Sequence, residues 1–189
     1  MNNALSFYCR KLKIAQDDFE AGEFFRDFLK SWIAFSKQGK QVERIICLGL
    51  GNFAQNPNCT SQVSSKFQLL LLLGLAKNVK EAEITPEILV YDPILTPSES
   101  DILLKLNLKT LETNEEGFYL YENSLTVYFL PHCPKQLLNN LLWKNWDNPD
   151  FVYIIGNSFK NIILNFSQDQ LQTVKYILQV ADIIIGKKF

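Results

Sequence analysis

Short apolar runs alternate along the chain with longer segments whose apolar residues recur every three or four positions. Such runs predict strands, because a strand covered on both faces needs no polar side. The predicted strands span residues 44–48, 88–91, 109–112, 125–130 and 151–155. A hairpin arm at residues 118–121 and an edge strand at residues 183–185 are also predicted.

The intervening segments have a helical period. Phe25, Phe28, Leu29 and Trp32 lie at offsets of 0, 3, 4 and 7, which predicts an amphipathic helix over residues 17–37. Residues 61–79 are apolar nearly all round and predict a buried helix, and a leucine pattern predicts another helix after residue 134. The segments at residues 96–99 and 167–170 have the capping-box pattern, which predicts two further helix starts.

Strands that alternate with helices predict right-handed crossovers and a parallel sheet covered on both faces. The predicted fold class is therefore α/β, with a three-layer, Rossmann-like architecture. Its sheet is expected to be mostly parallel and doubly wound, with five to six strands in the order 3-2-1-4-5. Residues 1–43 are predicted to form an extra N-terminal helical segment packed on the domain formed by residues 44–189.

Charge and composition exclude several classes of function. The 189 residues include 19 basic and 20 acidic side chains, so we expect neither nucleic acid nor a membrane surface as a partner. A single histidine excludes zinc sites built from several imidazoles, and no metal site is predicted. Four scattered cysteines predict reduced thiols, and no secretory signal is evident. We therefore expect the protein in the cytoplasm or the nucleus.

Polar, turn-rich segments follow the predicted strands. In an open parallel sheet, ligands bind outside the carboxyl ends of the strands, near the point where the strand order reverses. We therefore expect these loops to form one ligand-binding crevice. The candidate ligand-binding residues are Gly49, Gly51, Asn52 and Phe53 after the first strand, Asp92 after the second, His132 and Cys133 after the fourth, and Asn157 and Ser158 after the fifth.

Two cofactor chemistries fit parts of this set. Residues 49–54 match the pattern G-x-G-x-x-A, whose amides cradle a phosphate, with Asp92 placed to bind a ribose. The match is incomplete, because Pro57 interrupts the helix that should follow, and Asp92 lies about twice as far along the chain as the usual 20 residues. In the alternative, the glycines serve only the turn, and Asp92 binds local backbone.

The dipeptide Cys133-Pro134 permits a thiolate ligand to haem iron. The alternative is that His132 and Cys133 only form hydrogen bonds at the end of their strand. Asn157 and Ser158 have a similar alternative, as the cap of a following helix. The acidic turn at residues 114–117 is interpreted as solvated, or as a site for a cation with oxygen ligands. No catalytic residue is predicted.

Seven blocks in fixed order carry a resemblance to a known family. They lie at residues 47–53, 68–72, 91–93, 114–117, 131–133, 140–146 and 154–159, and include Pro-His-Cys and Asn-Leu-Leu-Trp. Together they resemble the sensitivity-to-red-light-reduced (SRR-like) domain over residues 44–159. The chain departs from the family pattern at Leu130, where methionine is expected, and in a longer polar loop at residues 55–61.

The resemblance implies a regulatory role, since the family takes its name from light and clock signalling in plants. Its animal and fungal members have no established catalytic activity, so no catalytic residue is carried over. We therefore expect an intracellular regulatory protein of signalling or circadian type, whose crevice binds a small molecule or a protein partner without catalysis. The alternatives are a nucleotide- or S-adenosylmethionine-dependent transferase, and a haem-responsive module acting through Cys133.

Overall fold

Two strands that are apolar on both faces form the centre of the fold. The computed structural model describes residues 2–36, 41–54, 60–79, 85–122 and 124–185. In it, the two central strands, the first and the fourth along the chain, pair in parallel within a five-stranded sheet. The strands are β1 (Val42–Leu48), β2 (Glu87–Tyr91), β3 (Lys109–Thr110), β4 (Leu125–Leu130) and β5 (Val152–Gly156). Every pairing is parallel and the order is β3-β2-β1-β4-β5, which confirms the predicted fold class and strand order.

Helices cover both faces of the sheet. Those before β4 are α1 (Asn2–Ala21), α2 (Glu23–Ser36), α3 (Thr60–Asn78) and α4 (Pro97–Lys105). Those after β4 are α5 (Lys135–Lys144), α6 (Phe159–Asn165), α7 (Gln168–Gln172) and α8 (Lys175–Ile185). Among the described residues, no helix is both long enough and apolar enough to cross a membrane.

The alternation of side chains along β1 produces two separate cores. Ile45 and Cys47 are buried against residues of α1 to α4, whereas Ile46 and Leu48 are buried against residues of α5 to α8. This alternation follows from the period of two in a strand. The result is a helix-sheet-helix sandwich in which both central strands have no solvated face.

The two N-terminal helices belong to the first of these cores. Leu12 of α1 and Phe25 and Trp32 of α2 are buried in the same cluster as β1 and the leucines of α3. At Gly74 of α3, an added methyl group would lie 2.5 Å from the Phe25 ring, so the glycine permits close packing of α2. One side of each N-terminal helix therefore contributes to the apolar interior.

The structure corrects four details of the predicted elements. The helix expected over residues 17–37 is two helices, because α1 ends at Ala21 and Gly22, whose N–H donates to the Phe19 carbonyl, separates it from α2. Residues 118–121 are not a strand, and the carbonyl of Tyr119 accepts instead from the side chains of Tyr128 and Asn145.

The other two corrections concern the C-terminal part. Residues 183–185 are the end of α8 rather than an edge strand, because Ile177 and Ala181 hold α8 against the sheet and extend the helical pattern. The capping box of Ser167 is confirmed, but it opens the short helix α7, and α8 begins separately. The capping box of Thr96 at the start of α4 is also confirmed.

Candidate functional site

A cleft of about 410 Å³ lies at the point where the strand order reverses. Strand β1 lies between β2 and β4, and the connection after β1 leads toward β2. The loops that follow β1 and β4 therefore run in opposite directions and leave space between them. The lining residues are Gly49, Leu50, Gly51, Ser64, Ser65, Gln68, Asp92 and His132. The loops after β1, β2 and β4 therefore meet at one site, together with one face of α3.

The predicted residues fall into three groups. Four of them, Gly49, Gly51, Asp92 and His132, line this cleft. Asn52, Phe53 and Cys133 lie next to it, and their polar groups are bonded to the protein, as described below. Asn157 and Ser158 follow β5, are exposed, and are not among the described residues that line the cleft. Ser158 precedes α6, but its side chain makes no capping hydrogen bond.

A buried carboxylate holds the loop after β1. Glu99 of α4 is fully buried, and its Oε1 accepts from the amides of Phe53 at 2.6 Å and Ala54 at 2.9 Å. Its Oε2 accepts from the Asn52 side chain at 2.9 Å, and from the amide and hydroxyl of Thr96 at 3.0 and 2.8 Å. One side chain therefore closes the capping box of α4 and fixes the loop after β1.

The hydrogen bonds to Glu99 keep it ionised. Burial by itself raises the pKa of its carboxyl, because a charge loses solvation in the interior. The donors of Thr96, Asn52, Phe53 and Ala54 outweigh this effect and lower the pKa below its ordinary value. The loop amides thus already bind an internal anion.

Asp92 performs a similar task at the end of β2. Its Oδ2 accepts from the Gly51 amide at 2.8 Å and its Oδ1 from the Ile94 amide at 3.0 Å. The Gly49 amide donates to the Tyr91 carbonyl at 3.1 Å. Two of the amides that a phosphate-binding glycine loop would present to a ligand are therefore occupied by the protein itself.

Both glycines of this loop are required by the backbone. Gly49 and Gly51 each have φ of 77°, in the region that side chains disfavour. A methyl group on Gly51 would overlap the hydroxyl of Ser65 on α3, and one on Gly49 would lie 3.1 Å from the Cys133 sulfur. The glycines therefore allow α3 and the loop after β4 to approach β1 closely. This role agrees with the alternative in which the glycines serve only the turn.

Cys133 is held as a neutral thiol. Its Sγ donates to the Leu48 carbonyl at 3.0 Å. Burial raises the pKa of the thiol to about 12, and the negative charge of Asp92 is the smaller contribution to this rise. Haem ligation and nucleophilic attack both require the thiolate, which this environment disfavours. Cys47 lies in the same region, fully buried, and its pKa is also raised by burial. Cys9, Cys47 and Cys133 form no disulfide, and Cys59 lies outside the described residues.

Helix α1 also reaches this region. The hydroxyl of Tyr8 donates to the Phe53 carbonyl at 2.8 Å. Burial, followed by the charge of Glu99, raises the pKa of this phenol to about 12, so it remains a donor at neutral pH. The N-terminal helix therefore fixes the same loop that Glu99 fixes from α4.

Sequence reasoning missed several residues in and beside the cleft, including Leu50 and Ser64 of its lining. Glu99 was predicted only as the third residue of a capping box, and its local pattern gives no sign of the longer contacts. Ser65 and Gln68 lie in a helix that was predicted solely as buried. Tyr8 lies before residue 17, where the first predicted helix begins, so the apolar pattern assigned it to no helix. A serine and a glutamine within an apolar helix were the one available signal.

Comparisons with known proteins identify the family. A family model described as the SRR1 domain matches residues 15–187, beginning within α1. The SRR1-like protein of Mus musculus is 36% identical over 150 residues, which cover 77% of this chain and 57% of that protein. Protein SENSITIVITY TO RED LIGHT REDUCED 1 of Arabidopsis thaliana is 28% identical over 162 residues, which cover 80% of this chain and 55% of that protein.

The SRR1-like protein of Drosophila melanogaster is 31% identical over 128 residues, which cover 66% of this chain and 42% of that protein. The chain thus spans about half the length of the curated relatives it matches. No solved structure matches it. Because the family model covers most of its length, the chain belongs to the SRR1 family.

Proposed function

We propose that this protein is a regulator that acts by binding a small molecule or a partner segment in the cleft at the ends of β1, β2 and β4. The observation that supports this proposal is the meeting of Gly49, Gly51, Asp92 and His132 around one opening. Open α/β sheets bind ligands at such a switch point. Three separate strands contribute to the opening, so a bound molecule would contact both halves of the sheet.

The regulatory part of the proposal is supported by family membership. The name of the Arabidopsis relative refers to sensitivity to red light, which is a signalling response. We extend to this chain only the general role, a protein that changes a signal rather than a metabolite. Signalling of circadian type is the more specific form of this proposal, with action in the cytoplasm or the nucleus.

The transferase alternative is disfavoured by the occupied amides. A nucleotide phosphate needs free backbone donors at the glycine loop, whereas those of Gly51, Phe53 and Ala54 donate to Asp92 and Glu99. The haem alternative is disfavoured by the neutral thiol of Cys133. Neither argument concerns a neutral or cationic ligand that enters the cleft itself.

Native mass spectrometry of the gently purified protein tests the proposal without assuming a ligand. We expect an added mass that is lost on denaturation, and that is reduced in Asp92→Asn, which changes a lining residue. The matched control is Asp169→Asn, which removes the same charge from an exposed position on helix α7, outside the cleft lining. The proposal is contradicted if the purified protein carries no small molecule and captures no partner whose binding is weakened by Asp92→Asn.

The alternatives have their own tests. If S-adenosylmethionine or an adenine nucleotide raises the melting temperature of the protein but not that of Asp92→Ala, the cleft binds the cofactor that the transferase alternative requires. If added haem gives a Soret band that disappears in Cys133→Ala, the haem-responsive module is favoured.

A further inference from the structure

The cleft contains the acidic side chain of Asp92, and the imidazole of His132 is the one basic group among the described residues that line it. No lysine or arginine is among the described lining residues. The carboxylate oxygens accept from two backbone amides, which leaves each oxygen with further capacity to accept a hydrogen bond. The electrostatic character of the opening therefore favours a cation and disfavours an anion.

Gln68 provides a second, independent sign that a ligand belongs here. Its side chain lines the cleft but is only 6% exposed, and its Oε1 is buried without a hydrogen-bond partner among the described residues. An unpaired buried polar atom is costly, and in native proteins it calls for an explanation. A donor that enters the cleft would satisfy this oxygen.

Two backbone donors at the opening, those of both glycines, are already used. The amide of Gly49 donates to the Tyr91 carbonyl, and that of Gly51 donates to Asp92. A phosphate or carboxylate entering the cleft would find these two donors engaged and a carboxylate beside them. Asp92 and the Oε1 atom of Gln68 therefore offer acceptors to a ligand.

We propose that the cleft binds a small molecule through a protonated amine, which donates hydrogen bonds to Asp92 and Gln68. This proposal rests on the ligand-binding function proposed above and specifies the chemical class of that ligand. The ammonium group satisfies the unpaired Gln68 oxygen and balances the charge of Asp92. The volume of about 410 Å³ falls in the range of small-molecule sites, which leaves room for an apolar group beside the amine.

A matched series of probes tests the charge requirement. Benzylamine, benzyl alcohol and benzoate share one ring and differ in the polar group, and adenosine monophosphate serves as the phosphate probe. Amide shifts of Gly49 and Gly51 in nitrogen-proton NMR titrations report binding at the cleft. We expect benzylamine to bind at least about tenfold more tightly than benzyl alcohol, and the two anions to bind more weakly still.

Two variants test the proposed contacts separately. Asp92→Asn should weaken benzylamine binding about tenfold, whereas Asp169→Asn should leave it unchanged. Gln68→Met keeps the length of the side chain and both hydrogen bonds of Asp92. It should also weaken benzylamine binding, while leaving the fold intact because it removes a buried unpaired atom. This second variant decides the question if Asp92→Asn does not fold.

Different results overturn different statements. Tighter cleft binding of benzoate or adenosine monophosphate overturns the amine proposal but keeps a ligand-binding cleft. Equal benzylamine affinity in the original protein and in both variants also overturns it. If none of the four probes shifts the cleft amides, the amine proposal is overturned, while native mass spectrometry judges the ligand-binding function separately.

Discussion

The substitution Glu99→Gln replaces one carboxylate oxygen by an NH₂ group in a buried side chain that accepts several hydrogen bonds near the cleft. The carboxylate accepts five hydrogen bonds, from Asn52, Phe53, Ala54 and two groups of Thr96. Both carboxylate oxygens face nitrogen donors. Whichever way the amide of glutamine is turned, its NH₂ group meets at least one backbone N–H.

The size of the effect follows from these bonds. A hydrogen bond to a charged group contributes about 1.5–3 kcal/mol, and a buried donor left unpaired costs about 1–3 kcal/mol. Glutamine keeps one acceptor and loses the other together with the charge, so we expect Glu99→Gln to lower the free energy of unfolding by about 2–3 kcal/mol. Glu99→Ala removes both acceptors and should lower it by about 4 kcal/mol.

Urea unfolding followed by tryptophan fluorescence measures this change. The matched control is Asp101→Asn, an exposed acid on the same helix, for which we expect a change within about 0.5 kcal/mol. Hydrogen exchange should show protected amides at Phe53 and Ala54 in the original protein and faster exchange in Glu99→Gln. Equal midpoints for Glu99→Gln and Asp101→Asn would refute the claim that this carboxylate holds the loop.

The pH dependence provides a second measurement on the same variant. The pKa of Glu99 is lower in the folded protein than its ordinary value of 4.5. Its contribution to stability is therefore fully present above pH 4.5 and is lost as the pH falls through the folded-state pKa. Glu99→Gln should show a shallower loss of stability below pH 4.5 than the original protein. An unchanged acid slope would contradict the inference that the fold lowers the pKa of Glu99.

Three further predictions concern the surroundings of the cleft. Gly51→Ala should lower the free energy of unfolding, measured by heat or urea, by about 2–4 kcal/mol, because backbone strain and overlap with a serine hydroxyl of α3 add together. Gly49→Ala has the same φ without that overlap and should lower it by about 1–2 kcal/mol. Tyr8→Phe removes the hydrogen bond to the Phe53 carbonyl and should lower the free energy of unfolding by about 1 kcal/mol, a loss that an unchanged urea midpoint would rule out. Iodoacetamide at mildly alkaline pH should label Cys133 far more slowly in the folded protein than in the denatured chain, because its folded-state pKa is about 12, and equal labelling rates would show that the thiol is not protected.

Much of the fold could be predicted because its strongest signals are local. The apolar runs of β1 and β4 require cover on both faces, and that requirement leads directly to a doubly wound sheet. The capping boxes of Thr96 and Ser167 lie within four consecutive residues each, so their chemistry is visible in the sequence. The loops that meet at the cleft followed from the strand order.

The errors arose where distant contacts decide between local alternatives. Residues 183–185 have the β-branched composition of a strand, yet the packing of Ile177 and Ala181 continues the helix. The bonds of Glu99 to Phe53 and Ala54 span 46 and 45 positions, and nothing local distinguishes this glutamate from one that only closes a capping box. The unpaired oxygen of Gln68 is visible only once the neighbours of its helix are known.

The burial of Leu12, Phe25 and Trp32 against the sheet has a practical consequence for truncation. A chain shortened to begin at β1 would expose to water the apolar side of α3 and the Tyr153 face of β5 that α1 and α2 cover. It would also lose the Tyr8 anchor of the loop after β1. Fragments that retain every strand but omit the first two helices should therefore aggregate, and soluble expression requires that both helices be kept.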